Sequence, residues 1–261
     1  MSAPEVFDSL FLLPFVNGLL LALLLPLLGA WIRLREEWLA SLGLAQVSAA
    51  GVVLGAILVE PVALVALAAA AVAAAVKAFL GRSGNDSYAV MILLGWSVTL
   101  IAASFSAHGD ELAHALVQGQ IYFTDHRHLE GIALLAVVAA FLLPWLSPRL
   151  LLGRFFPAHF RANGVPNPHH DLVFDLLVAV TLAIAATAIG VMAAFALVFV
   201  PPWLAFRFAH GWRRTLAWSA GLGLVAYLVA FAAAIGVDQP FGPVLVVALL
   251  AMAPVRAFAR A

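Results

Sequence analysis

Histidines and carboxylates are concentrated in one stretch of the chain, between residues 107 and 128. Imidazole and carboxylate are together a ligand set that zinc and manganese accept. Their spacing matches no closed metal site, so a solvated polar loop is the simpler interpretation. A metal site is the functional alternative, and its candidate residues are His108, Asp110, Glu111, His114, Asp125, His126 and His128.

A second polar stretch, residues 149–171, contains three arginines, three histidines, three prolines and two glycines. It is the longest polar interruption in an otherwise apolar chain. Its histidines, His159, His169 and His170, fit a polar loop that touches water or a partner protein. We interpret the segment as the place where a partner docks.

Motifs for ATP hydrolysis and for proton coupling do not occur in the sequence. No segment has the form GxxxxGK[ST], which cradles phosphates, and the glycine-rich stretch 81–87 has no lysine in the required place. No ionisable residue is expected in the middle of an apolar span, where proton relays place such groups. A pump or an ion-coupled carrier is therefore disfavoured.

The polar residues within the apolar spans are mild, and Gln46 is the largest of them far from a span end. A buried glutamine is costly unless it is paired across helices or faces water. Both interhelical pairing and lining of a transport pathway remain open for Gln46. Hydroxyls such as Ser48 and Thr99 commonly bond back to their own helix.

Composition places the chain in the membrane. Of its 261 residues, 65% are hydrophobic and 10% are charged, and the mean hydropathy is +1.09. A soluble domain has about 25% charged residues. Cysteine is absent, which excludes disulfides and thiolate chemistry. Continuously apolar segments rather than alternating ones predict helices and exclude a barrel.

We predict an all-α, polytopic membrane helix bundle of eight or nine spans that forms one domain over 1–261. Gly51 and Gly55 form a GxxxG pattern, which predicts close helix packing. The first apolar run lacks the basic flank of a signal peptide. The expected spans are 10–32, 38–58, 62–80, 87–106, 129–147, 172–188, 191–206, 216–236 and 241–255.

The charges orient this bundle. With the N-terminus outside and the C-terminus cytoplasmic, twelve of the thirteen Lys/Arg residues lie inside and only Arg127 lies outside, as the positive-inside rule requires. Residues 107–128 then form the largest outer loop, with a short interfacial helix at Leu112–Val117. Residues 149–171 form a cytoplasmic loop.

The helix count is least certain in 172–206. Two short helices that meet near Gly190 fit the length, at about 1.5 Å per residue. Pro201 and Pro202 must break or kink the second helix, because proline removes a backbone hydrogen bond. Interrupted helices are typical of transport sites, so both prolines are candidates for the pathway.

Four stretches resemble the permease subunit of zinc/manganese-type metal ATP-binding-cassette importers. They are Pro26–Arg35 with Leu42–Gly51, the segment Gly190–Ala205, the turn Asp238-Gln-Pro-Phe-Gly-Pro243, and Phe160-Arg-Ala-Asn-Gly-Val165. One departure matters: the family usually has an aspartate and, four residues on, a histidine in the second span. Here those positions are Leu42 and Gln46, which puts direct coordination of a bare cation there in doubt.

The resemblance implies a homodimeric permease in a bacterial inner membrane. It implies an extracytoplasmic solute-binding protein that delivers substrate to the outer loop 107–128, whose histidines and carboxylates are candidate contacts for the substrate or for that protein. It also implies a separate ATPase that uses ATP, while this chain binds no cofactor. The ATPase would dock on Pro157, Phe160, Arg161, Ala162, Asn163, Gly164 and Val165, and the pathway would include Leu42, Gln46, Ser48, Pro201 and Pro202.

The expected substrate is a divalent metal ion, with zinc first and manganese or iron as alternatives. A permease for a metal chelate or a cobalamin-like molecule is the rival within transport, because Leu42 and Gln46 carry no charge. An intramembrane enzyme is the rival from another class. It would need acid, base or metal-ligand groups on helices near a membrane face.

Overall fold

A computed structural model describes residues 9–58, 62–80, 85–156 and 168–258. In this part of the chain all regular elements are helical, as predicted. The helices are α1 (Ser9–Leu34), α2 (Ala40–Leu58), α3 (Val62–Leu80), α4 (Asn85–Ala103), α5 (Ala107–Gln118), α6 (His126–Phe155), α7 (Pro168–Ile189), α8 (Val191–Phe208), α9 (Trp212–Val237), α10 (Phe241–Ala251) and α11 (Val255–Phe258), with a 3₁₀ turn at Ile121–Phe123.

Seven of the described helices are long and apolar enough to cross a membrane: α1, α2, α4, α6, α7, α8 and α9. Shorter apolar helical segments lie at Leu64–Ala74 in α3 and at Phe241–Ala251, which is α10. The expected last span, 241–255, is therefore too long, because its helix ends at Ala251. Eleven residues rise only about 16 Å, roughly half of the hydrocarbon thickness.

The polar segment 149–171 differs from its prediction as a loop. Helix α6 continues through Arg149 and Arg154 to Phe155, and α7 already begins at Pro168. Arginine is a good helix former, so a basic sequence does not end a helix. The remaining central part, 157–167, lies outside the described residues.

The uncertain region near Gly190 folds as the two helices that were expected. α7 ends at Ile189 and α8 begins at Val191, with Gly190 between them at φ 88°. Helix α8 then continues through Pro201 and Pro202 to Phe208, so the prolines do not end it. Neighbouring helices make such prolines tolerable in a membrane.

Glycines set the closest helix contacts, as the small-residue pattern predicted. A Cβ on Gly51 would lie 2.8 Å from Ala66 Cα, and one on Gly95 would lie 2.6 Å from the Gln46 carbonyl carbon. A Cβ on Gly29 would overlap the carbonyl oxygen of Val198. These contacts fix α2 against α3 and α4, and α1 against α8.

The bundle has two ends. At one, which we call the arginine-rich end, α1, α6 and α8 end, and α2, α4, α7 and α9 begin. Trp31 packs on Trp212 there, with ring centroids 4.2 Å apart. At the opposite end α5 lies against the junction of α7 and α8 and against the start of α10, where Gly242 meets Gln118.

Candidate functional site

A cluster of buried charges, which we call the Arg35 junction, lies at the arginine-rich end. Arg35 follows α1, and its Nη2 lies 3.0 Å from Glu37 Oε2. Its Nη1 lies 2.9 Å from Asp175 Oδ1 and 3.9 Å from Asp171 Oδ1, both in α7. The Asp175 contact is close but is not aligned as a hydrogen bond, so charge attraction accounts for it.

Two aromatic rings complete the Arg35 junction. The Tyr88 hydroxyl, on α4, donates to Glu37 Oε2 over 3.3 Å, and the guanidinium carbon of Arg35 lies 5.2 Å from the Phe174 ring centroid. The junction therefore joins the α1–α2 turn to α4 and α7. Its members are Arg35, Glu37, Tyr88, Asp171, Phe174 and Asp175.

The electrostatics of the junction favour a permanently charged Arg35. Burial opposes the charged form, but the carboxylates of Asp175 and Glu37 outweigh it and raise the pKa of Arg35 above its ordinary value. The side chains of Glu37 and Asp175 are only 6% and 7% exposed. Removing one partner from such a buried pair leaves an uncompensated charge and is strongly destabilising.

Polar contacts extend the junction to α6. Asn85 accepts from the Leu39 amide over 3.0 Å and donates to the Glu36 carbonyl oxygen over 3.0 Å. The Glu36 carboxylate pairs with Arg154 near the end of α6. A cleft of about 170 Å³ beside these groups is lined by Arg35, Glu37, Arg149 and Arg154, among others.

Sequence reasoning missed the Arg35 junction. Asp175 lies within the expected span 172–188, but near its end, where it was not singled out. The available signal was the spacing of Asp171 and Asp175, four residues apart and therefore on one helix face. A basic turn after α1 could have been paired with that face.

The pathway candidates on α2 lie inside the bundle. Gln46 is 8% exposed, and its backbone contacts Gly95 of α4. The Ser48 hydroxyl is fully buried and donates to the Leu44 carbonyl oxygen over 2.8 Å, so it bonds to its own helix as expected. Leu42 is half-buried and packs against the apolar core.

Other hydroxyls within the spans behave like Ser48. Thr99 donates to the Gly95 carbonyl oxygen over 2.7 Å, and Thr181 to that of Leu177 over 2.7 Å. These side chains satisfy the backbone of their own helices and need no ligand. Gln46 therefore stays the one α2 candidate whose polar group has no such local explanation.

The two prolines of α8 are both buried. Pro202 lies beside Gly29 of α1, where a Cβ would be 3.0 Å from Pro202 Cγ and would overlap the Val198 carbonyl oxygen. The prolines therefore mark a tight contact between α1 and α8. Nothing in this geometry brings them to Gln46.

The outer-loop candidates separate into pairs. Helix α5 contains the predicted Leu112–Val117 helix, and it begins with Ser106 as N-cap, whose hydroxyl accepts from the Gly109 amide over 2.9 Å. On its exposed face His108 lies 3.9 Å from Glu111, and His114 lies 3.8 Å from Asp110. Among the described residues no group of three or more ligand-type side chains could hold a metal ion.

Asp125 and His128 form a capping box at the start of α6. Asp125 accepts from the His128 amide over 3.0 Å, and their side chains approach to 2.8 Å. The His128 amide and imidazole lower the pKa of Asp125. His126, in the same first turn, is exposed. Capping is a structural role, so it explains Asp125 and His128 without a substrate.

Helix α5 is fixed to the α7–α8 junction by two glycines. Gly119, at φ 78°, ends α5 and lies against Gly190, at φ 88°. A Cβ on Gly119 would overlap the Ile189 carbonyl oxygen. The histidine-bearing helix therefore contacts the break between α7 and α8 without intervening side chains.

The predicted docking residues, Pro157, Phe160, Arg161, Ala162, Asn163, Gly164 and Val165, lie outside the described residues. The described part of the chain brings Arg149, Arg154 and Asp171, which flank them, to the Arg35 junction. Both flanks of this segment therefore contact the α1–α2 turn.

The chain was compared with known proteins. The sequence model described as the ABC 3 transport family matches residues 8–260. No curated protein matches the chain.

Two solved structures share the fold. "PsaBC from Streptococcus pneumoniae in complex with Fab" has a TM-score of 0.83 at 14% identity, over 96% of this chain and 91% of that chain. A transporter described as of metal-chelate type, in an inward-facing conformation, has a TM-score of 0.72 at 16% identity, over 98% of this chain and 88% of that chain.

Proposed function

This chain belongs to the ABC 3 transport family, and from that premise we propose that it is the membrane-spanning permease subunit of an ATP-binding-cassette importer for divalent metal ions. The observation that carries the proposal is the family match over residues 8–260 of an apolar helical bundle. Zinc is the first candidate, and manganese and iron are the others.

ATP hydrolysis belongs, in this proposal, to a separate cytoplasmic ATPase, because the sequence contains no phosphate-cradling motif. The arginine-rich end faces the cytoplasm, following the positive-inside rule, in a bacterial inner membrane. A solute-binding protein delivers the metal to α5 and the start of α6. Two copies of the chain form the complete permease.

The Arg35 junction supplies the link between docking and transport. The ATPase docks on 157–165, whose flanks Arg154 and Asp171 contact Glu36 and Arg35. The α1–α2 turn leads directly into α2, which carries Leu42 and Gln46. Closure of the ATPase would thus shift α2 by moving a charged turn rather than a flexible loop.

The deciding experiment for function is metal uptake. The chain is reconstituted with its ATPase in proteoliposomes, and zinc, manganese and iron are measured inside after ATP is added with the binding protein. ATP-dependent accumulation of one metal supports the proposal. Accumulation of none, with ATPase activity intact, contradicts it.

A metal chelate or a cobalamin-like molecule is the second candidate substrate. The observation that favours it is the uncharged pair Leu42 and Gln46, since a bare cation prefers carboxylate or imidazole ligands. The second similar structure is also described as a metal-chelate type transporter. Metal content of cells that lack the gene, grown with and without chelator, separates the two substrates.

An intramembrane enzyme finds little support. It would need acid, base or ligand groups gathered at a membrane face, whereas His108 and His114 lie in separate exposed pairs with Glu111 and Asp110. Replacing His108, His114, His126 and His128 with Ala should only reduce uptake in a permease. The same changes should abolish activity in an enzyme.

The docking segment is tested by Gly164→Trp. We expect normal membrane insertion but loss of transport-coupled ATPase activity, because a bulky side chain would block the ATPase. Gly236→Trp is the matched control, since open space surrounds Gly236. Normal coupling in the Gly164 variant would place docking elsewhere.

A further inference from the structure

An apolar groove of about 260 Å³ lies between α1, α6 and α9 in the half of the bundle nearer the arginine-rich end. Leu27 of α1, Ala139, Ala140 and Leu143 of α6, and Leu216 of α9 line it, and Ser147 is the one hydroxyl. Ala140 and Pro144 are exposed, so the groove opens on the outer face of the bundle.

Aromatic and basic residues surround the arginine-rich end of this groove. Trp31 lines it and packs on Trp212 at 4.2 Å. Leu216 lies one turn after Trp212, and Arg213, three residues before Leu216, is on the same side of α9. Tryptophan near the end of a membrane helix is typical of the membrane–water interface.

The arginines here differ from those of the Arg35 junction. Arg207, Arg213 and Arg214 are exposed, and the sequence contains no acidic residue from 176 to 237. No ion pair between described residues includes any of the three. The positive-inside rule explains why arginines face one side, but it does not explain an apolar groove beside them.

We propose that this groove and the neighbouring Arg213 bind an anionic phospholipid. One acyl chain fills the groove, and the phosphate lies at the guanidinium group of Arg213. Basic pockets between membrane helices recognise lipid phosphates in this way. A lipid fits better than an acidic protein segment, because the cavity wall is apolar and opens where the helices span the membrane.

The headgroup part is tested with the purified full chain in detergent, titrated with phosphatidylglycerol and separately with phosphatidylcholine. Binding is followed by native mass spectrometry. Arg213→Gln should weaken phosphatidylglycerol binding about fivefold and leave phosphatidylcholine binding unchanged. Arg127→Gln, a lone arginine at the opposite end, is the matched control and should change neither.

The role of the groove in binding the acyl chain is tested with Ala140→Phe, which fills the groove. The control is Val138→Phe, which lies on the same helix but outside the groove. We expect at least tenfold weaker phosphatidylglycerol binding for Ala140→Phe and no change in this binding for the control. If Ala140→Phe does not fold, wild-type protein titrated with glycerol phosphate replaces it. Binding as tight as that of the whole lipid would then refute a role for the groove.

Three results would overturn the proposal. Phosphatidylglycerol binding could survive Arg213→Gln, or that change could weaken the binding of both lipids equally. Alternatively, Ala140→Phe could dissociate a dimer without changing lipid binding, which would assign the groove to a second copy of the chain. The proposal does not depend on metal import, so failure of the uptake experiment leaves it untouched.

Discussion

Asp175 and Asp171 offer a direct comparison, because both contact the same guanidinium group. Asp175 lies 2.9 Å from Arg35 Nη1 with a side chain that is 7% exposed, whereas Asp171 lies 3.9 Å away and is 41% exposed. We expect Asp175→Asn to destabilise the protein and Asp171→Asn to have little effect. The difference comes from solvent, since water screens the second pair.

The magnitudes follow from burial. Breaking a buried ion pair by removing one partner costs about 3–5 kcal/mol. Arg35 keeps Glu37 at 3.0 Å, so we expect about 3 kcal/mol for Asp175→Asn. An exposed pair is worth about 0.2–1 kcal/mol, which is our expectation for Asp171→Asn.

The assay is equilibrium unfolding of the purified variants in mixed micelles, followed by helical circular dichroism. Each change replaces one carboxylate oxygen with an amide nitrogen and keeps the shape of the side chain. Comparing the two variants therefore controls for expression and detergent. If both variants unfold within about 0.5 kcal/mol of each other, Asp175 is not desolvated and the Arg35 junction does not hold the turn. Loss of coupling without loss of stability would instead support a role in docking alone.

Three further changes test the bundle and its polar sites. Gln46→Leu should leave insertion intact and raise stability by about 1 kcal/mol while changing uptake in proteoliposomes; unchanged uptake would assign Gln46 to packing. Gly29→Ala should cost about 1–3 kcal/mol in micelle unfolding, whereas Gly221→Ala, in open space, should gain about 1 kcal/mol. The pKa of Asp125 is lowered in the folded protein, so its cap is fully present above the ordinary pKa of 3.8 and is lost as the pH falls through the lowered value. Hydrogen-exchange protection of the first turn of α6 should fall in that acidic range, and Asp125→Ala should remove this pH dependence.

The helices could be predicted from sequence because a membrane imposes one strong rule. Every apolar run of sufficient length must satisfy its backbone internally, so the break at Gly190 and the short helix in the loop 107–128 follow from length and polarity. Two helix ends were predicted less accurately: the end of α10 at Ala251 and the extension of α6 to Phe155. Helix ends depend on local contacts, which apolarity does not report.

The candidate site was harder to predict for a different reason. Long-range charge pairing joins residues that are far apart in sequence, such as Arg35 and Asp175. The spacing of Asp171 and Asp175 marks one charged helix face, but it does not by itself identify the partner of that face. The outer histidines show the opposite case. Their proximity in sequence suggested a cluster, but the helix distributes them into separate pairs.

The packing of α1 has a consequence for synthesis in the cell. α1 leaves the ribosome before α8 and α9, yet it packs mainly on these two helices, and the Tyr227 hydroxyl donates to the Phe15 carbonyl oxygen across 212 positions. At about 5–20 residues per second, α1 waits roughly 10–40 s in the bilayer before these partners arrive. During that time the amide of Asn17, which is buried in the folded protein, faces lipid or the insertion machinery, so α1 enters the bilayer with a polar group that is not yet buried in the bundle.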